Sequence, residues 1–319
     1  MPFIAADIGS SKTRLATSKK IVSEESYAAI DPADSSRVLA FGEKARMIVN
    51  ASEAHPVRGG VADITLTALM LRRFAADLLG SRSVFGATLL AAIPGCAGPV
   101  EREALMQTAR EAGFSGIVMT DSLICGALGA GLDPGSQSAG MLVDIGRERT
   151  DILVFANGGV ITERSAGIGS SVLDRRIRAH IANEHGVLVG ARAAERIKQR
   201  MGAAVIRING RDCATGLPAS REIRPSELRR AADPCVELLC REIAETLMNT
   251  PPEATADIAE NGVTLIGGGA LRFGLAADLE KKIGVPVRAA RNAEEAVILG
   301  AQQRLLTGRA GVRKAAAAN

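Results

Sequence analysis

Asp7-Ile8-Gly9-Ser10-Ser11-Lys12-Thr13, near the start of the chain, recurs further along it as Asp144-Ile145-Gly146-Arg147-Glu148-Arg149-Thr150. Each copy follows an apolar run typical of a β-strand and precedes a second such run, at residues 14–16 and 151–155. Each copy therefore predicts a strand, a tight turn beside an aspartate, and a second strand. Because one copy opens each half of the chain, the repeat predicts a duplicated fold.

The rest of the chain alternates strand-like and helix-like segments, an order that indicates α/β layers. The predicted strands are 3–6, 87–93, 116–119, 140–143, 151–155 and 262–266. The predicted helices are 63–79, 100–112, 170–184, 191–201, 225–248, 271–282 and 293–306. Polar breaks at 133–139 and 209–224 predict connecting segments, the first of them a hinge between the halves. Residues 309–319 lack a core pattern and are expected to be disordered.

Length and composition limit the function classes. A chain of 319 residues, 47% of them hydrophobic, predicts two domains of roughly 150 residues each. A net charge of +4 spread along the chain and an aromatic content of 3% give no reason to expect nucleic acid as a direct partner. Five cysteines without CxxC spacing predict reduced thiols in a cytoplasmic protein. We expect neither a signal peptide nor a membrane-spanning helix.

The two turns have the chemistry of phosphate binding. A hairpin turn rich in glycine and small hydroxyl residues exposes backbone N–H groups to phosphate oxygens, and a neighbouring aspartate can hold a hydrated Mg²⁺. Either turn alone is more often an ordinary turn, but the pair predicts a clamp on a nucleoside triphosphate. Gly267-Gly268-Gly269 follows another apolar run and would let a flat ligand approach the backbone, although the same residues also suit a simple strand-to-helix connection.

Together these motifs resemble the superfamily of actin, sugar kinases and heat-shock chaperone ATPases. Four further stretches resemble the MreB-type bacterial actins in particular: residues 56–63, 93–95 with 100–104, 186–198, and 261–271 with 284–287. The similarity runs in order from about residue 3 to about residue 306. It implies an α/β, actin-like two-domain fold with a duplicated mixed β-sheet core flanked by helices and a central nucleotide cleft. It also implies domain I at 1–135 with 301–319 and domain II at 136–300, with small subdomains at about 20–62 and 178–245.

The resemblance implies ATP or ADP with Mg²⁺ as cofactors and the protein itself as partner, in a homopolymeric filament. Asp7 and Asp144 match the two aspartates on the Mg²⁺ side, holding the ion through water. The other matching residues are Gly9, Ser10, Ser11, Lys12 and Thr13 for the first phosphate loop; Gly146, Arg147, Glu148, Arg149 and Thr150 for the second; Gly267, Gly268 and Gly269 for adenosine; and Glu195 and Lys198 for the ribose and adenine. Without the resemblance, Glu195 and Lys198 would be interpreted as a surface ion pair.

Two departures from the family pattern affect catalysis. The family's second loop reads Asp-Ile-Gly-Gly-Gly-Thr-Thr, whereas this chain has long charged side chains at 147–149. Either Arg147 or Arg149 pairs with a phosphate, or both arginines point to solvent. Ser122 stands where the family has the glutamate that orients the attacking water. Because a serine hydroxyl is a poor base at neutral pH, we expect weak or absent hydrolysis.

Membrane contact and cellular role are left open. Val84 and Phe85 occupy the position of the family's membrane loop, or they begin a core strand, so the prediction is a cytoplasmic protein with a potential membrane contact. One alternative is an actin-like pseudo-ATPase that serves organelle positioning, as magnetosome actins do, or plasmid segregation. A small-molecule kinase of the same superfamily is disfavoured because residues 94–99 hold no catalytic aspartate.

Overall fold

The computed structural model describes residues 3–80 and 85–307. The chain forms two compact units, residues 1–134 with 294–319 and residues 135–293. Val84 and the tail predicted to be disordered at 309–319 lie outside the described residues.

The elements of the first unit follow one another in the order β1 Phe3–Ile8, β2 Lys12–Ala16, β3 Ile21–Glu25, β4 Ala28–Asp31, β5 Asp34–Phe41, α1 Glu43–Arg46, β6 Ser52–Ala54, α2 Ile64–Leu79, β7 Thr88–Ile93, α3 Pro99–Ala112, β8 Gly116–Asp121 and α4 Ser122–Gly129. The second unit contains β9 Gly140–Ile145, β10 Thr150–Ala156, β11 Gly159–Ala166, α5 Ser170–His185, β12 Val187–Leu188, α6 Ala191–Gln199, β13 Ile206–Asp212, β14 Pro218–Ile223, α7 Pro225–Met248, α8 Pro252–Asn261, β15 Val263–Ile266, a 3-10 turn Gly268–Leu271, α9 Leu275–Ile283 and β16 Val287–Ala289. The chain then returns to the first unit with α10 Ala296–Leu306.

Each unit is built on a five-stranded mixed sheet of the same design. The orders are β3-β2-β1-β7-β8 and β11-β10-β9-β15-β16. In both, the hairpin strands pair antiparallel, while the first hairpin strand pairs parallel with the next strand of the sheet. The central strands are mainly apolar because helices cover the sheet, and Ile4, Met141 and Val143 are buried. The predicted α/β fold with a duplicated mixed sheet is confirmed.

A separate three-stranded sheet accompanies each main sheet. Its order is β5-β4-β6 in the first unit and β12-β13-β14 in the second. Both small sheets fall within the ranges predicted for small subdomains, 20–62 and 178–245.

Two predicted segments are wrong. Residues 209–224, predicted as a polar break, form most of the β13–β14 hairpin, in which Ile206 and Ile208 are buried and their neighbours point outward. The alternation of apolar and polar residues that indicates a strand is short here, and the polar residues around it make it difficult to recognise. The helix predicted to start at 271 starts at Leu275, because a 3-10 turn and Gly274, with a φ of 79°, separate it from the glycine run. All six predicted strands are present.

Helices α4 and α10 cross with their backbones in close contact. A Cβ atom built on Gly129 would lie 1.8 Å from the carbonyl oxygen of Ala296, and one built on Gly300 would lie 1.8 Å from that of Cys125. Only glycine fits at either position. The crossing fixes the returning end of the chain against the helix that begins at Ser122.

Candidate functional site

The first hairpin turn is fixed by hydrogen bonds from its surroundings. Gly9 N donates to Lys12 O at 3.2 Å and closes the turn. Ser26 Oγ donates to Gly9 O at 2.5 Å, and Gly59 N donates to Ser10 Oγ at 2.7 Å. The predicted phosphate loop is therefore a preformed turn.

Asp7, at the end of β1, has a buried arginine as its cross-strand partner. Arg14, 8% exposed, faces Asp7 in the β1–β2 register, and its Nη1 lies 3.4 Å from Asp7 Oδ2. Burial raises the pKa of Asp7 above its ordinary value, and the Arg14 guanidinium opposes part of that rise. Glu294 Oε2 lies 3.7 Å from Arg14 Nη2 and 3.2 Å from Lys12 Nζ. Asp7, Glu294, Arg14 and Lys12 thus form one network of charged side chains, which includes the aspartate predicted to lie on the Mg²⁺ side.

Ser122 is the first residue of α4, at the end of the parallel strand β8. Its neighbour Asp121 caps that helix, with Oδ1 accepting from Leu123 N at 2.8 Å and from Ile124 N at 2.9 Å. This carboxylate oxygen already accepts two backbone hydrogen bonds, so it is used as the helix cap. Ser122 is buried, with 8% of the residue exposed. The end of β8 therefore presents a buried hydroxyl and a carboxylate that caps a helix.

The second hairpin turn matches the first in its backbone. Gly146 N donates to Arg149 O at 2.9 Å, the counterpart of the Gly9 bond. Two carbonyls of the turn are bound by the start of α5, where Ser170 N donates to Gly146 O and Ser171 N to Arg147 O. The helix start and the hairpin therefore form one tightly packed structure.

The three charged side chains of the second turn each contact a polar side chain nearby. Arg149 Nε donates to Asp151 Oδ2 at 2.8 Å, and Glu148 Oε2 accepts from Ser171 Oγ at 3.0 Å. Arg147 Nε lies 3.7 Å from Glu148 Oε1. The alternative in which both arginines point to solvent is wrong, since their side chains are only 22% and 21% exposed. Each of the two arginines therefore lies beside a carboxylate.

The glycine run packs directly against Asp144. Ile266 pairs with Asp144 in the β15–β9 register, and a Cβ on Gly267, whose φ is +82°, would lie 2.3 Å from Asp144 Oδ1. A Cβ on Gly269 would lie 2.3 Å from a methyl carbon of Ile145. Both glycines are therefore required for the loop to approach the second turn.

A pocket in the second unit joins this loop to α5, α6 and α7. It encloses about 480 Å³, including space open to solvent, and is lined mainly by apolar atoms. Its lining residues are Ile145, Ile168, Gly169, Ser170, Leu173, Lys198, Ala232, Cys235, Val236, Leu239, Gly268, Gly269, Arg272 and Leu275. An apolar pocket with a few polar groups at a glycine-rich backbone suits a flat aromatic ring. The predicted adenosine residues Gly268, Gly269 and Lys198 thus meet at one pocket.

Lys198 is held by a residue that sequence reasoning missed. Its Nζ lies 2.9 Å from Asp174 Oδ1, and the two side chains are 14% and 9% exposed. The interpretation of Glu195 and Lys198 as a surface ion pair is therefore wrong for Lys198. Glu195 lies on the same helix but outside the pocket lining.

Three other contributors to the site were missed, namely Arg14, Glu294 and the Gly169–Ser170 corner. Arg14 carried a signal, because it is a charged residue at the start of the apolar run 14–16. Glu294 and Gly169 carried none, since each is far in sequence from the residues it contacts.

Comparisons with known proteins agree on one family. The family model described as MreB/Mbl protein matches residues 1–310. The cell shape-determining protein Mbl of Bacillus subtilis (strain 168) is 32% identical over 313 residues, covering 93% of this chain and 93% of that protein. The cell shape-determining protein MreB of Escherichia coli (strain K12) is 30% identical over 303 residues, covering 89% of this chain and 87% of that protein.

Solved structures agree with this result. MreB5 of Spiroplasma citri bound to AMPPNP superposes with a TM-score of 0.91 at 27% identity, covering 97% of each chain. The MamK double helical filament gives a TM-score of 0.80 at 17% identity, over 96% of this chain and 98% of that one, a likeness of fold alone.

Proposed function

The chain belongs to the MreB/Mbl family, and from that premise we propose that this actin-like cytoskeletal protein binds ATP or ADP, assembles into homopolymeric filaments and hydrolyses ATP weakly. The observation that carries the proposal is the convergence in the second unit of the Asp144 turn, the Gly267–Gly269 run and Lys198. The two structures of MreB5 bound to AMPPNP and to ADP support the choice of nucleotide.

The residues present fit an adenine nucleotide. The apolar pocket beside Gly268 and Gly269 would take the base, and Lys198 at its wall would approach the polar part of the nucleoside. The backbone of the two glycine turns would hold phosphate oxygens. Lys12 and Arg149 would contribute positive charge, exchanging Glu294 and Asp151 for phosphate.

Two aspartates are proposed to hold magnesium. Asp144 lies beside Gly267, where any Cβ would meet its carboxylate. Asp7 faces the positive charge of Arg14. When bound, magnesium neutralises phosphate charge, and both carboxylates would hold it through water.

Weak hydrolysis follows from the chemistry at the end of β8. Ser122 supplies no base, and Asp121 is committed to capping α4. The nucleotide would therefore act mainly as a bound ligand that favours one conformation of the protein, and it would be hydrolysed slowly.

The names of the curated relatives support a role in cell shape, whereas specialisation for organelle positioning or plasmid segregation stays a prediction. Membrane contact through Val84 and Phe85 also stays a prediction. Phe85 is 70% exposed, and its ring lies close to Gly113. Within residues 3–80 and 85–307, every helix is too short or too polar to cross a bilayer.

The binding half of the proposal is tested with Asp144→Asn in the full chain. We expect the affinity for a fluorescent ATP analogue in Mg²⁺ buffer to fall at least about tenfold, because the amide cannot hold the hydrated ion. The matched control is Asp34→Asn, a substitution of an exposed aspartate in β5. Equal affinity of the wild type and Asp144→Asn would contradict the assignment, and no binding by the wild type would overturn the proposal.

A further inference from the structure

Two of the three histidines in the chain meet a glutamate in the second unit. His180 and His185 lie in the last turns of α5, and Glu227 lies in the first turn of α7. The ligand atoms of these three side chains all lie within 4.8 Å of one another. His185 Nε2 is 3.1 Å from Glu227 Oε2, and the two imidazole rings are 5.9 Å apart at 69°. Sequence spacing gave no sign of this cluster, because its carboxylate comes from another helix.

His180 has a polar atom that the protein leaves unsatisfied. Its Nε2 is buried, and among the described residues it has no hydrogen-bond partner. A buried polar atom without a partner is uncommon in folded proteins and calls for an explanation, such as an ion that binds there. The other two side chains keep partial access to solvent, since His185 is 18% and Glu227 26% exposed. An ion could therefore reach the cluster.

We propose that His180, His185 and Glu227 bind a divalent transition-metal ion of the zinc type. Two imidazoles and one carboxylate are a ligand set that suits Zn²⁺ and leaves a fourth position for water. Hard cations such as Mg²⁺ prefer oxygen ligands and fit the set poorly. In a tetrahedral site with bonds of about 2.0–2.2 Å, ligand atoms lie about 3.3 Å apart, so the cluster must close by at most about 1.5 Å. Side-chain rotation can supply that movement.

The proton balance of binding is simple. Both imidazoles bind as neutral ligands, and His185 then carries its proton on Nδ1. Any second proton on either ring is released to solvent. Glu227 binds as the carboxylate through Oε2, while its Oε1 accepts from Arg224 N at 3.4 Å and so stays oriented by the start of α7. The ion would tie the end of α5 to the start of α7.

Zinc titration of the full chain tests the proposal. The protein is freed of metal with a chelator and titrated by calorimetry, without nucleotide and with excess Mg²⁺ to fill sites made of oxygen ligands. We expect one equivalent of bound zinc in the wild type. His180→Gln, His185→Gln and Glu227→Gln should each weaken binding at least about tenfold, the lower end of what even outer-shell changes cost. Glu227→Gln retains a side chain that can cap α7, which protects the fold.

The matched control is His55→Gln, a substitution of the histidine that packs against Tyr27 in the other unit. It should leave zinc affinity unchanged. Exposed Cys96 and Cys213 are the alternative source of zinc binding, and Co²⁺ distinguishes them because thiolate ligands add a charge-transfer band in the near ultraviolet. The proposal is overturned if no zinc binds, if the three cluster variants bind as the wild type does, or if the Co²⁺ spectrum shows thiolate ligation. Circular dichroism of the metal-free variants verifies that each one folds.

Discussion

Ser122 and Asp7 are the residues at which this chain's chemistry is most distinctive. Ser122 occupies the start of α4 without a base, and its neighbour's carboxylate is used as a helix cap. Asp7 keeps a carboxylate beside a buried arginine although burial disfavours its charge. A carboxylate whose charge is disfavoured by burial is more easily explained by function than by stability.

Ser122→Glu should raise the rate of ATP hydrolysis. A carboxylate at this position would act as a general base or orient the attacking water, and a well-placed general base contributes about 10²-fold or more. The measurement is phosphate release at saturating ATP. Ser122→Leu is the control, since it adds a side chain of comparable bulk that neither takes a proton nor orients water, and it should stay at the wild-type rate. Brisk hydrolysis by the wild type would refute the assignment of weak turnover.

Asp7→Asn should raise the melting temperature of the nucleotide-free protein at pH 7. Because the folded-state pKa of Asp7 is raised, its ionised form is destabilising, and the free energy of unfolding falls as pH rises through the folded pKa. The substitution removes that dependence. Asp34 is the opposite case, because hydrogen bonds from Ser36 lower its pKa. The ionised form of Asp34 therefore stabilises the fold, and that stability is lost as pH falls. A lower melting temperature for Asp7→Asn would show that the pair with Arg14 outweighs burial.

At the scale of elements, helix contacts hold the candidate site in place. Helices α4 and α10 meet at two glycines in the first unit, and the Lys198–Asp174 pair links α6 to α5 in the second. The first contact supports Ser122, and the second supports the wall of the pocket. Single substitutions at either contact should lower the free energy of unfolding.

Gly129→Ala should strongly destabilise the first unit. The new methyl group would meet a backbone carbonyl at 1.8 Å, which cannot be relieved by rotating a side chain. We expect a loss of at least about 3 kcal/mol in the free energy of unfolding, the upper range for overpacking. Gly98→Ala is the matched control, because a Cβ there meets no atom within 4 Å. Chemical denaturation of both variants measures the difference, and equal stability would contradict the described helix crossing.

Lys198→Ala should also destabilise the protein, by about 3 kcal/mol, because it leaves Asp174 buried without its partner. The double variant Lys198→Met with Asp174→Asn should recover most of that loss, since it removes both charges. Lys282→Ala breaks an exposed pair with Glu237 and should change stability by less than about 1 kcal/mol. If Lys198→Ala behaves like Lys282→Ala in denaturant titrations, the buried pair does not exist in solution.

At the scale of the whole molecule, the duplicated sheet is the feature that the sequence predicted best. The repeat at Asp7 and Asp144 was visible because each turn is local, and the apolar central strands flanking it are long enough to be recognised. The small sheets were harder to predict, since β12 spans two residues and β13 is half exposed.

The candidate site was predictable only in part, because the sequence reveals local backbone geometry but not tertiary contacts. Turn residues and glycines are fixed by local backbone geometry, so Gly9, Gly146 and Gly267 could be proposed from sequence. The partners of Arg14 and Lys198 could not, because Glu294 and Asp174 reach them through tertiary packing. Sequence spacing does not reveal such contacts.

One experiment tests the central claim, nucleotide-dependent assembly with weak turnover, most directly. Purified full chain is incubated with ATP, ADP or no nucleotide in Mg²⁺ buffer, and sedimented polymer and released phosphate are measured in the same samples, with electron microscopy of the pellets. We predict filaments in the ATP sample and phosphate release at most a small fraction of that of Ser122→Glu. A wild type that forms no polymer with any nucleotide, or whose polymer is unaffected by nucleotide, would contradict the account.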